Sequence, residues 1–271
     1  MTDERIEWTR HADGVVELCL SRADKMNALD PAMFDALIAA GEQLRHDTAV
    51  RAVVISGKGR AFCAGLDMQS FADMGGTVGK DLVTRTHGLS NAAQHVAYVW
   101  RHVPVPVIAA VHGAAFGGGL QLALGADVRI VAPDTKMSVM EIKWGLVPDM
   151  AGMVLMRELA RTDVVRELTY TGRIFLGEEA LRIGFATLLD ADPLAEALRM
   201  AHDIATKNPD AIRAGKRLLN ASLSSSAADL LMAESVEQQR LMGSANQTEA
   251  VRANMEKRAP RFTDAVSCSS P

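Results

Sequence analysis

Gly113-Ala114-Ala115-Phe116-Gly117-Gly118-Gly119-Leu120-Gln121 sets three consecutive glycines directly ahead of an apolar helical run, Leu120 to Leu124. With no side chains in the way, a ligand can approach the backbone of that turn closely. A helix starting there points free N–H groups outward, carrying roughly half a positive charge. The turn therefore suits a phosphate or a developing oxyanion. It is not a Walker loop, since no Gly-Lys-Ser/Thr follows, and the GxGxxG spacing of a dinucleotide fingerprint is missing. Taken alone, the glycines are explained equally well by close packing of helix on strand.

Working outward, the turn is flanked by the apolar strands Val107 to Val111 and Asp127 to Val131. Arg51 to Ser56 reads as a buried strand ending at Gly57 and Gly59. Ile6 to Trp8 and Val15 to Leu20 read as two strands around the turn His11-Ala12-Asp13-Gly14. Asp30-Pro31 opens a helix, with Asp as N-cap and Pro at the first helical position. Met33, Leu37, Ala40, Gly41 and Leu44 follow at helical spacing. A helix is expected from about Asp81 to His102, bounded by Pro104 and Pro106, behind a Gly-rich stretch, Asp73 to Lys80, expected to be mobile.

Beyond about Met150 the pattern is helical almost throughout: Thr162 to Thr171, Gly177 to Ile183, Leu194 to Lys207, Pro209 to Asn220, Ala227 to Met242 and Thr248 to Lys257. Only Ala186 to Leu189 resembles a strand, and the tail Val266 to Pro271 reads as frayed. The chain is therefore α/β. Short strand-strand-helix turns suggest a stacked spiral of sheets, which periodicity does not separate from a doubly wound sheet. Residues 1–200 are expected to form the core and residues 201–271 a helical C-terminal region.

The 271 residues suffice for a sizeable core. A content of 48% hydrophobic and 23% charged residues excludes overall disorder. The net charge of −4 argues against a general nucleic-acid binder. Cys19, Cys63 and Cys268 form neither a disulfide framework nor a CxxC metal spacing. No metal is expected. The polar start MTDERIEWTR lacks a signal-peptide core, and no apolar run is long enough to span a membrane. A cytoplasmic protein with no membrane association is expected.

Two further motifs carry chemistry. Ala61-Phe62-Cys63-Ala64-Gly65-Leu66-Asp67 follows a strand and its glycine turn, where small residues let a ligand meet the backbone. An ordinary strand-to-helix turn reads the same way. Met140-Glu141-Ile142-Lys143-Trp144-Gly145-Leu146-Val147-Pro148-Asp149 places Glu141 among apolar neighbours, which raises a carboxyl pKa toward the range useful for proton transfer. The alternative is a solvated loop glutamate paired with Lys143.

In this order and approximate spacing, the three motifs resemble the crotonase family, also called the enoyl-CoA hydratase/isomerase family. The likeness runs from Leu20-Ser21-Arg22-Ala23-Asp24-Lys25-Met26-Asn27-Ala28-Leu29, through Ala126-Asp127-Val128-Arg129-Ile130 and Gly145-Leu146-Val147-Pro148, to Met255-Glu256-Lys257-Arg258-Ala259-Pro260-Arg261-Phe262. The resemblance implies a crotonase-like spiral of strand-strand-helix turns, with a helical C-terminal trimerisation region forming a homotrimer or homohexamer. It implies an acyl-CoA thioester as substrate and no separate cofactor. Two backbone N–H groups would hold the thioester oxygen as an oxyanion hole, at positions matching Ala64 and Gly118. Fixed donors of this kind stabilise an enolate without reorganisation. Ala23, Lys25, Gly65, Leu66, Asp67, Gly117 and Lys257 match further CoA or substrate contacts. Exposed Lys25 and Lys257 are equally consistent with simple solvation.

One departure bears on the reaction. Hydratases of the resembled family carry two glutamates, at positions that here hold Gln121 and Glu141. Glutamine has no titratable proton and is no general base. Isomerases of that family use a glutamate at the Glu141 position, and the dienoyl-CoA type also uses an aspartate that maps to Asp149. The expected catalytic set is therefore Glu141, Asp149 and Gln121, moving a double bond in an enoyl- or dienoyl-CoA. A hydratase using Glu141 alone and a non-catalytic acyl-CoA binder are the alternatives. Asp149 reads equally well as an N-cap for a helix over Met150 to Ala160.

Overall fold

The runs Ala-Val-Val-Ile-Ser-Gly and Val-Ile-Ala-Ala-Val carry no polar alternation because both faces of their strands are covered, as parallel sheets require. A computed structural model describes residues 4–67, 69 and 81–265. Its larger sheet contains β1 (Ile6–Arg10), β2 (Val15–Leu20), β3 (Ala52–Gly57), β4 (Val107–Val111), β6 (Val128–Val131) and β9 (Leu188–Leu189), in the order β1-β2-β3-β4-β6-β9. Only β1 runs antiparallel to its neighbour. A smaller sheet pairs β5 (Ala114–Phe116), β7 (Lys136–Ser138) and β8 (Phe175–Leu176). Chain leaving β4 crosses to β5, and chain leaving β6 crosses to β7. Chain leaving β3 joins the same layer through a parallel bridge, Cys63 to Ala115. This repeated crossing is the stacked spiral read from the sequence.

Side-chain alternation divides the core. Val53 and Ile55 of β3 face the cluster containing α1 (Pro31–His46) and α2 (Ala92–His102). Ala52 and Val54 face Ala197 and Ala201 of α7 (Pro193–Ala205). A Cβ on Gly41 would lie 2.5 Å from the Val99 methyls, so α1 and α2 pack at a distance only glycine permits. The remaining helices are α3 (Gly118–Leu124), α4 (Gly152–Leu159), α5 (Thr162–Thr171), α6 (Gly177–Ile183), α8 (Pro209–Ser222), α9 (Ala227–Leu241) and α10 (Ala245–Met255).

One expectation is corrected. The helix expected from Asp81 begins only at Ala92. Asn91 caps it, accepting from Gln94 N–H at 2.8 Å while the Gln94 side chain accepts from Asn91 N–H at 3.0 Å. Upstream, Asp81 accepts from the Val83 and Thr84 N–H groups and bends the chain into turns. Residue 200 falls inside α7, whose Ala197 and Ala201 belong to the core. The short strands β5, β7 and β8 do not appear in the sequence reading, being too brief for any period. The stretch 73–80 and the tail 266–271, read as mobile and frayed, lie outside the described residues.

Two buried cations dock α8 on this core. Arg213 donates to the carbonyls of Asp47, Thr48 and Val50. Lys216 Nζ donates to the Trp100 and Val105 carbonyls at 3.0 and 2.9 Å and to Asp127 at 2.6 Å. Leu219 of α8, Leu223 at its end, and Leu231 and Met232 of α9 are exposed on the single chain. Among the described residues no helix is long and apolar enough to cross a membrane. Removing one partner of a buried pair costs about 3 kcal/mol. Lys216→Met is thus expected to lower Tm by about 10 °C for a chain of this size, read by differential scanning fluorimetry. Adding Asp127→Asn should recover part of that loss. Strict additivity of the two changes would show that the pair is not coupled.

Candidate active site

Three chain segments meet in one cavity of 540 Å³. Ala64, Gly65 and Leu66 come from the loop after β3, Gly117, Gly118 and Gln121 from the start of α3, and Glu141, Asp149 and Met150 from the segment after β7. Backbone meets backbone where the first two touch. A Cβ on Gly65, which has φ +88, would lie 2.5 Å from the Phe116 carbonyl oxygen. Gly119 would place one 2.4 Å from the Cys63 carbonyl oxygen. Contact between the two loops thereby accounts for Gly65 and Gly119, while a Cβ on Gly118 would lie 2.6 Å from the Met150 sulfur and one on Gly117 3.2 Å from Glu141 Oε1.

The first loop is held in place by Asn27, fully buried and left-handed with φ 54. Its Nδ2 donates to the carbonyls of Ala61 at 2.8 Å and Lys58 at 3.0 Å, and its Oδ1 accepts from Arg22 N–H at 2.9 Å. The Cys63 thiol, pushed up to about 12 by burial, donates to the Asn27 carbonyl. It is a packed hydrogen-bond donor, not a nucleophile.

The Ala64 N–H, expected to be an oxyanion donor, already donates to the Met26 carbonyl at 2.9 Å. The donor that this loop leaves available is two residues on. A parallel bridge joins Leu29 to the loop through the Gly65 carbonyl and the Asp67 N–H. Alternation turns the Leu66 N–H the other way, and no described residue accepts it. In the triple-glycine turn the Gly117 N–H is taken by Ser138, leaving the Gly118 N–H with no acceptor among the described residues. Leu66 and Gly118 therefore offer the paired donors.

Gln121 is almost fully buried. Its Oε1 accepts from the N–H groups of Met150 and Gly152, both at 2.8 Å. Two N–H donors fix the amide orientation, since only the oxygen can receive them. Nε2 then donates to Glu141 Oε1 at 2.5 Å. The other Glu141 oxygen is buried without a hydrogen-bond partner among the described residues. Burial raises the Glu141 pKa, and the nearby Asp149 charge adds to the rise, outweighing the Gln121 hydrogen bond. Asp149 is likewise raised by burial.

The N-cap reading of Asp149 is corrected. Helix α4 begins at Gly152, its N-cap is Ala151, and no cap side chain bonds to it. The Gln121 carbonyl meets the free N–H groups of that turn instead. No sequence signal marks this, because cap and helix lie about thirty residues apart. Asp67 does not line the cavity: its carboxylate pairs with Arg22 at 2.7 Å, both side chains largely buried. Ala23 and Lys25 sit in a short 3-10 turn, and Lys257 is exposed after α10; none of the three lines the cavity. Among the described residues no group of His, Cys, Asp and Glu is placed to hold a metal ion. Two carboxylic acids and two free backbone donors around one cavity can move protons next to an oxygen that gains charge.

A family model described as Enoyl-CoA hydratase/isomerase matches residues 10–265. A probable enoyl-CoA hydratase of Bacillus subtilis is 31% identical over 239 residues, covering 87% of this chain and 90% of that protein. A mitochondrial Delta(3,5)-Delta(2,4)-dienoyl-CoA isomerase of Rattus norvegicus is 32% identical over 221 residues, 79% of this chain and 68% of that protein. Among solved structures, a probable enoyl-CoA hydratase/isomerase from Mycobacterium abscessus has a TM-score of 0.85 at 32% identity, covering 96% of this chain and 100% of that one.

The Asn27 clamp gives a direct test of how the loop is held. Asn27→Ala leaves buried carbonyls and one N–H unpaired, at a cost of about 2 kcal/mol. Tm should fall by about 5 °C, and amide exchange on residues 61–66 should accelerate. Unchanged exchange there would mean that the loop is held by other contacts.

Proposed function

The chain belongs to the enoyl-CoA hydratase/isomerase family and acts on acyl-CoA thioesters, and from that premise we propose that it moves a carbon–carbon double bond in an enoyl- or dienoyl-CoA. The observation that carries this reading is the Gln121 amide. Its oxygen is committed to two backbone donors and its nitrogen to Glu141, so it brings no second base to a water molecule. The second titratable group beside Glu141 is Asp149, which is not engaged in capping.

On this reading the free oxygen of Glu141 takes a proton from a carbon conjugated to the thioester. The C–H bond breaks, and its electron pair enters a dienolate whose oxygen accepts from the Leu66 and Gly118 N–H groups. A proton then returns to a different carbon from Glu141 itself or from Asp149 in its protonated form, closing the new C–H bond; in the second case exchange with solvent water removes the proton from Glu141 and returns one to Asp149. No water is added and no electrons leave. Two acids with different surroundings divide giving and taking. The likeness to the rat dienoyl-CoA isomerase supports the assignment. We also propose that the exposed apolar residues of α8 and α9 pack against further copies of the chain, as a trimer or a hexamer.

Turnover of 3-enoyl- and dienoyl-CoA in deuterated water is expected to incorporate deuterium without the mass of added water. Glu141→Gln should lower kcat about 10²–10⁴-fold with acyl-CoA affinity nearly intact. Asp149→Asn should cost about 10²-fold on dienoyl-CoA and less on 3-enoyl-CoA. Rapid formation of 3-hydroxyacyl-CoA would overturn the isomerase reading in favour of hydration by Glu141. As pH falls through the raised Glu141 value the base becomes protonated, so kcat/KM should fall on the acid side. Gln121→Glu sets a second negative charge against Glu141 and should move that limb upward by about one pH unit or more.

The donor assignment is tested by backbone esters. Replacing the Leu66 N–H with an ester oxygen should lower kcat about 10²–10³-fold. The same change at Ala64, whose N–H is held by Met26, should lower Tm in place of turnover. The reverse outcome would restore Ala64 as the donor.

A further inference from the structure

One wall of the cavity is a single face of α1, where Pro31, Phe34, Asp35 and Ile38 fall at helical spacing. Leu82 lines it from the segment leading into α2, Ala92 and Ala93 from the first turn of α2, and Trp144, Leu146 and Met150 from the segment after β7. The lining is therefore mostly apolar and suits a hydrocarbon chain. Its charged members are all of one sign. Asp35, Asp81, Glu141 and Asp149 line the cavity, and among the described residues no Lys, Arg or His does.

Nearby cations are engaged elsewhere. Lys143 sits over the Trp144 ring, 5.5 Å from its centroid. Arg85 turns to the Val83 carbonyl at 2.9 Å, to the Leu82 carbonyl and to the Gln94 side chain. Asp81 accepts from the Val83 and Thr84 N–H groups, which stabilise its charged form. Asp35 has no ion-pair partner among the described residues.

We infer that this cavity selects acyl chains that carry no negative charge, and that Asp35 and Asp81 set the selection by repelling a carboxylate on the chain. The inference rests on the acyl-CoA reading above and not on which reaction follows. A carboxylate entering this mostly apolar space loses its water and gains no counter-charge from the described residues. Like charges brought together repel. A neutral chain meets none of these penalties.

The test uses non-reacting ligands, so that binding is read apart from turnover. Hexanoyl-CoA is compared with adipoyl-CoA, and octanoyl-CoA with suberoyl-CoA, by isothermal titration against the full chain. Each pair shares length and differs only in a terminal carboxylate. The carboxylated member is expected to bind about 10²-fold more weakly in at least one pair. Asp35→Asn, alone and with Asp81→Asn, should narrow that ratio by about tenfold. Asp35→Asn is isosteric and lies on an exposed helix position, so folding is not at issue. Equal binding within both pairs would overturn the inference while leaving the acyl-CoA reading intact. A ratio unmoved by either variant would overturn the roles of Asp35 and Asp81. Failure of all four ligands to bind would overturn the acyl-CoA reading and this inference with it.

Discussion

The Gln121 side-chain amide joins three segments that are distant along the chain. It rises from the turn that opens α3, receives the two N–H groups that open α4, and donates to the carboxylate on the segment between β7 and α4. Each contact constrains the others. The two N–H groups fix the oxygen, the fixed oxygen aims the nitrogen, and the nitrogen pins one oxygen of Glu141. A Cβ on Gly152 would lie 2.5 Å from that same Oε1, so the α4 turn approaches closely because it carries glycine there. Position and ionisation of the acid thus depend on one neutral group.

Much of the fold was legible because long elements announce themselves. Asp30-Pro31 reads as a helix start and is one, with Asp30 accepting from Met33 N–H at 2.9 Å. The strands β2, β3 and β4 are largely apolar runs between turn signals, and β1 pairs with β2 across the His11–Gly14 turn. The candidate site was legible as three motifs, but not in its hydrogen bonds. Ala64 and Leu66 are both small-loop residues in the same motif, and only the register of the Leu29 bridge separates a committed N–H from a free one. Capping of α4 by Gln121 leaves no local trace, so Asp149 beside a helix start reads as the cap. The late start of α2 was in principle visible, since Asn91 and Gln94 stand at capping-box spacing.

Carboxylates elsewhere in the chain show what the cavity lacks. Asp30 is held below its ordinary range, against the effect of burial, by Arg5, the Met33 N–H and Arg22. Glu249 falls to about 2 beside Arg258 and the Arg261 N–H. Such groups add stability above the ordinary carboxylate range and lose it as pH falls through their lowered values. Glu141 and Asp149 have the opposite sign. The folded chain holds their protons more tightly than the unfolded chain does, so each withdraws stability as pH rises through its raised value. The fold carries that cost where, among the described residues, no cation lines the cavity to relieve it, the pattern expected of acids kept ready to exchange protons.

A glutamine at this position changes what Glu141 can do. Burial alone would favour the neutral acid, which accepts no proton. The amide N–H opposes that tendency by stabilising the charged form at one oxygen, without the charge that a lysine or arginine would bring. The other oxygen remains buried and unpartnered among the described residues, a directed site for a proton. A second glutamate in place of Gln121 would share that proton between two acids set against each other, and the pair would titrate as a unit. With the amide in place, Glu141 titrates against Asp149, a separate acid on the same cavity wall that lies outside the hydrogen-bonded contact. In the proposed isomerisation the separation of the two acids, and not merely their presence, would let a proton leave one carbon and return to another.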